Sequence, residues 1–141
     1  MKSWDELEDQ VRQVHPNKAR AKSLLKMAYV RLEEVQTKDR EKFASLAVEA
    51  YYEIMKEVAT ALMSIEGRQT SSHEALVAYL KHTFPQFSRS EILLIDRLRK
   101  LRNAINYKGF FVTPDFLKRN EPRILNLISK MIDLLKNDLR Q

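Results

Sequence analysis

From Phe43 to Ile65 the apolar positions Phe43, Leu46, Ala47, Ala50, Tyr51, Ile54, Val58, Ala61, Leu62 and Ile65 recur three and four residues apart. That period places them on one face of an α-helix, and a strand, whose faces alternate, could not present them together. Gly67 is the expected stop. From Asp39 to Glu66 such a helix would span about 40 Å at 1.5 Å per residue, long enough to serve as the spine of a bundle.

The flanking segments carry the same period. Trp4, Leu7, Val11 and Val14 suit a first helix, opened by a capping box of Ser3 and Glu6. Pro16 is expected to open a second, with Ala21, Leu24, Leu25, Ala28, Leu32 and Val35 on one face. After "GRQTSS", Ser71 and Glu74 predict another capping box before Ala75, Leu76, Tyr79 and Leu80, and Pro85 ends that helix. Ser88 and Glu91 start the next, which should run to Gly109. Thr113 and Pro114 open a last segment, which Pro122 is expected to kink or restart before Ile124, Leu125, Ile128, Met131, Ile132 and Leu135.

No stretch shows strand alternation with turn glycines. The expected fold is all-α, a single domain over residues 1–141 forming an up-down helical bundle with a four-helix core and accessory helices. Two glycines and four prolines in 141 residues leave little material for a linker. The absence of cysteine excludes disulfides, thiolate nucleophiles and zinc–thiolate sites. No apolar run approaches the roughly 18 residues of a membrane span, and "MKSWDELEDQ" is too acidic for a signal peptide, so a cytoplasmic location is the default expectation. A net charge of +6 favours polyanionic partners.

The stretch "RLRKLRNAINYKGFF", Arg97 to Phe111, concentrates charge and amides where a helix is about to end. At 100° per residue, Leu94, Leu98, Leu101 and Ile105 form its apolar stripe, and Arg102 borders it. Arg99, Asn103 and Asn106 continue outward as a polar strip. Tyr107 lies about 140° from Arg102, so the two meet only if the last turn unwinds or a second subunit supplies one of them. A border arginine can grip phosphate with its planar fork of donors, or lay its stem on the core and pair with a neighbouring acid.

"LRNAINYKGFF", with "ASLAVEAYYEIMKEVATALM" and "SSHEALVAYL" upstream, resembles the HEPN superfamily (higher eukaryote and prokaryote nucleotide-binding domains). The order of helices matches over nearly the whole chain, and the specificity lies in the Arg-Asn pair and its placement. The resemblance implies a homodimer whose polar motif lines a cleft between subunits. It also implies RNA or nucleotide binding, metal-independent endoribonuclease activity as in toxins, or partnership with a small nucleotidyltransferase in a two-component, toxin–antitoxin-like system. Arg102 and Asn103 match the first half of the family's catalytic pattern. Where its histidine would follow, this chain has Tyr107, and Gly109 stands where some members carry a tyrosine.

Metal-free cleavage of RNA needs one group to take the 2′-hydroxyl proton and another to protonate the leaving oxygen. Histidine serves either role near neutral pH; tyrosine does so only if neighbouring cations lower its pKa. Phosphate binding therefore survives the loss of the histidine more easily than catalysis. The candidate binding residues are Arg99, Arg102, Asn103, Asn106, Tyr107 and Lys108, with Arg102 and Tyr107 as the catalytic pair if the site cleaves. No cofactor or metal is expected. A helical dimeric interaction protein without nucleic-acid function is the remaining alternative.

Other features have plainer readings. Phe110 and Phe111 are expected to make the apolar contact that follows a C-terminal helix glycine, although aromatics interleaved with cations can also stack bases. His73 and His82 lie about 180° apart on their helix and suit no shared metal, so both are expected to be solvated. Asp39, Glu41, Glu49, Glu53 and Glu57 are expected on a solvated face of the long helix. Ile92 and Leu93, off the main stripe, supply the second apolar surface that a dimer would use.

Overall fold

The computed structural model describes the whole chain, residues 1–141. It is an all-α bundle of six helices: α1 (Trp4–Leu7), α2 (Lys18–Gln36), α3 (Ala44–Glu66), α4 (His73–Thr83), α5 (Arg89–Lys108) and α6 (Pro114–Leu139). The strands β1 (Arg12–Gln13) and β2 (Arg68–Gln69) pair antiparallel, Arg12 opposite Gln69. No helix is long and apolar enough to cross a membrane.

The long apolar run is indeed the spine. α3 packs against α2, α4, α5 and α6, and its Ala47, Tyr51, Ile54, Val58, Ala61 and Leu62 are fully buried. All 37 buried apolar residues form one contiguous core. α3 begins at Ala44 rather than Asp39, because Asp39–Phe43 are spent on a turn in which Arg40 donates to the carbonyls of Val35 and Lys38. Gly67 ends α3 at φ 78°, a left-handed backbone that suits glycine. A Cβ there would sit 2.5 Å from the Val14 carbonyl oxygen. The close approach has a purpose: the Val14 N–H donates to the Gly67 carbonyl at 2.8 Å.

That contact explains the main departure from the helical expectation. The Ser3–Glu6 capping box forms, but α1 lasts only to Leu7. Val11 to Val14 then run extended, because β1 finds its backbone partners in β2 rather than within a helix. Asn17, not Pro16, caps α2, its side chain accepting from the Arg20 N–H at 2.9 Å. Ser72, not Ser71, caps α4 and accepts from the Ala75 N–H at 3.1 Å. α6 runs unbroken through Pro122. Proline removes one helix hydrogen bond there, but Pro122 is exposed, so water can serve the freed Lys118 carbonyl.

One network ties the α2–α3 turn to α6. The Tyr51 hydroxyl, on a ring fully inside the core, donates to Glu121, which also receives Arg40 Nε at 3.0 Å. Burial and the neighbouring Glu121 carboxylate push the Tyr51 phenol well above its usual pKa, so it remains a donor.

Candidate nucleic-acid interface

α5 carries the polar strip. Its start is set by the Ser88–Glu91 capping box, and Lys130 of α6 pairs with Glu91 at 2.8 Å. Burial alone would raise the Glu91 pKa; Lys130 and the Ser88 N–H outweigh it and hold the carboxyl below its ordinary value. Ile92, Leu94, Ile95 and Leu98 are buried, whereas from Leu101 to Lys108 no residue is fully buried. The last two turns of α5 therefore flank the bundle rather than enter it. Gly109 closes the helix at φ 62°, and the Gly109 and Phe110 N–H groups both donate to the Ala104 carbonyl.

Arg102 sits at the border of the apolar stripe, its side chain 19% exposed, and faces α3 across an ion pair with Glu53 at 3.7 Å. Glu53 also holds Lys56 at 2.8 Å. Asn106, with its amide turned to satisfy both neighbours, donates to Glu49 and accepts from Arg102 Nε at 3.1 Å. Asn103 accepts from Arg102 Nη1 at 3.4 Å. One turn earlier, Arg99 pairs with Asp96 at 2.9 Å and approaches Glu74 of α4 at 4.0 Å. Asp96 is buried and takes Lys100 as a second cation at 3.3 Å. The strip is thus a ladder of alternating charge linking α3, α4 and α5.

Two residues of this ladder escaped the sequence reading. Glu49 and Glu53 were expected on a solvated face, yet both turn toward α5. Their spacing of four matches that of Arg102 and Asn106, so where the two helices meet Glu53 faces the Arg102 guanidinium and Glu49 accepts from the Asn106 amide. Glu57, one turn further, is buried and pairs with Arg31 of α2 at 2.8 Å. His73, expected to be solvated, is half-buried with its ring 5.7 Å from that of Tyr52. Burial first, then Lys56 and Arg102, lower its pKa against the opposing pull of Glu53. His82 is exposed but stacks on Trp4 at 5.3 Å. A cavity of about 430 Å³ between α2, α3 and α4 is lined by Arg20, Lys56, Glu53, Glu57 and His73 among others.

No protein-family model, curated protein or solved structure matches this chain. The site must be judged on its own chemistry.

Tyr107 does not join Arg102. α5 remains helical through Lys108, so the last turn does not unwind, and Tyr107 projects into solvent at 76% exposure. Within one chain the Arg102–Tyr107 pair cannot share a proton. Of the six candidate binding residues, Arg99, Arg102, Asn103 and Asn106 come together, while Tyr107 and Lys108 lie on the exposed end. The two phenylalanines also depart from expectation. Phe110 is 49% and Phe111 82% exposed, and the apolar contact after the glycine is made by Val112. Val112 is buried and its N–H donates to Ser45 Oγ of α3 at 2.8 Å.

Proposed function

We propose that this chain is a HEPN-like module that binds RNA or a nucleotide through the Arg102 strip, acting as a homodimer. The observation that carries the proposal is the setting of Arg102. Glu53 and Asn106 hold the guanidinium at the surface edge of α5, so a phosphate would meet an oriented fork rather than a flexible chain. Lys56 keeps Glu53 partnered when Arg102 turns to a ligand. The resemblance adds a small nucleotidyltransferase as the expected protein partner.

A second reading, metal-independent cleavage of RNA, draws support from one feature. His73 of α4 lines one cavity with Glu53 and Lys56 beside the ladder, and imidazole is the side chain that general acid–base chemistry uses most often. Tyr107 fits this role only if it comes from a second subunit.

Labelled RNA incubated with the protein in EDTA separates the two readings, since binding retards the RNA and cleavage shortens it. Arg102→Ala should weaken binding with little loss of fold, while Lys136→Ala, on the far end of α6, should do less. Equal weakening by both would mean that only net charge acts, and the Arg102 strip would be discarded as the site.

A further inference from the structure

The chain's net charge is not spread over it. Residues 97–119 hold seven lysines and arginines against the single Asp115, a net of +6 that equals the net charge of the whole protein. This stretch is the end of α5, the loop after it and the start of α6. Arg99, Lys100, Arg102 and Arg119 face carboxylates. Arg97, Lys108 and Lys118 pair with none and are exposed, Arg97 lying over the Phe116 ring at 4.8 Å.

In the same segment stand three exposed aromatic side chains, Tyr107 at 76%, Phe110 at 49% and Phe111 at 82%. Exposure of that much aromatic surface is unfavourable unless something covers it. Val112 is buried in the core and tied to Ser45 of α3, while Phe111 beside it stays outside. Around Gly109 the space is open, with nothing within 4 Å of where a Cβ would stand.

We infer that Tyr107, Phe110 and Phe111 form a stacking platform for the bases of single-stranded RNA, whose backbone is held by Lys108, Arg97, Lys118 and the Arg102 strip. This rests on the binding function proposed above and names the form of nucleic acid that the site takes. Aromatic faces stack any unpaired base, and cations interleaved with them follow the phosphates. A duplex hides its base faces and offers this platform nothing beyond charge. A second copy of the chain is a poor occupant, because a two-fold contact centred here would bring the unpaired Arg97, Lys108 and Lys118 against their own copies. A dimer contact through Leu93 would lie about 20 Å away along α5, leaving the platform free.

The test measures binding of a labelled oligoadenylate of about a dozen nucleotides, alone and annealed to its complement. Wild type should bind the single strand more tightly than the duplex. Phe111→Ala, Phe110→Ala and Tyr107→Ala should each weaken single-strand binding about 5- to 150-fold while leaving its salt dependence unchanged. Lys108→Ala should instead flatten the salt dependence by about 0.7 in the log–log slope. All four side chains are exposed, so circular dichroism should show every variant folded.

Binding to the single strand that ignores the aromatic variants, or equal binding to duplex, overturns the platform while the proposed function stands. No binding of either probe by wild type overturns the platform together with the RNA half of the proposed function. A shift toward monomer in Phe111→Ala, with unchanged RNA affinity, would assign the aromatics to a contact between copies and also overturn the inference.

Discussion

Arg102 and His73 show how much a single side chain depends on what faces it. By spacing alone, Arg102 could have been a solvated cation; Glu53, Asn103 and Asn106 make it an oriented donor. His73 is its counterpart on α4, where burial and the cations Lys56, Arg102 and Arg99 oppose protonation while Glu53 favours it. Because its pKa is lower folded than unfolded, protons bind the unfolded chain more readily. Above the unfolded value, about 6.5, His73 has no effect on the pH dependence of stability. As pH falls through 6.5 toward the lower folded value, stability is lost. Chemical denaturation of wild type and His73→Gln should therefore give parallel stabilities above about pH 7 and a steeper acid decline for wild type between about pH 7 and 5. Identical slopes would mean that the imidazole is freely solvated.

Among the elements, the two glycine-terminated helices, α3 and α5, make a useful contrast. Both end on a left-handed residue, Gly67 at φ 78° and Gly109 at φ 62°. At Gly109 a Cβ meets nothing, so Gly109→Ala should cost only the backbone term, about 1 kcal/mol. At Gly67 the Cβ would strike the Val14 carbonyl oxygen and crowd Pro16, in the segment that pairs with β2. Gly67→Ala should cost about 2–4 kcal/mol, by adding the displacement of the β1–β2 pair to the backbone strain. Denaturant midpoints that fell equally for both would show that the N-terminal segment yields freely. The stop signals themselves were legible in the sequence, since a glycine after an apolar run marks a helix end. What crowds one of them was not, because Val14 lies more than fifty residues away in the chain.

At the scale of the whole molecule, the outer face of α5 carries an exposed leucine, Leu93. The proposed dimer loses one of its two expected contact residues, because Ile92 is buried in the core. Leu93 remains, 52% exposed on the same helix. Sedimentation at tens of micromolar, a concentration suited to a modest interface, should show a dimer, and Leu93→Glu should shift it toward monomer. A wild-type monomer under those conditions removes the dimer. It leaves RNA binding by the strip and loop of a single chain to be judged separately.

The sequence by itself determined that the chain is helical, where most helices begin and end, and which residues form most of its core. These are local properties: a capping side chain reaches its own first turn, and a helical period needs only its own helix to be recognised. Tertiary structure decided the rest. Val11 to Val14 have helical spacing but run extended because β2 offers a partner. Leu46 keeps the period of α3 but is exposed, while Ala47 and Val48 beside it are fully buried. Glu49 and Glu53 stop being solvated when α5 is laid beside α3, and Val112, not Phe110 or Phe111, meets α3 through Ser45. Each depends on which faces meet across long stretches of chain, and spacing along a single helix does not encode that.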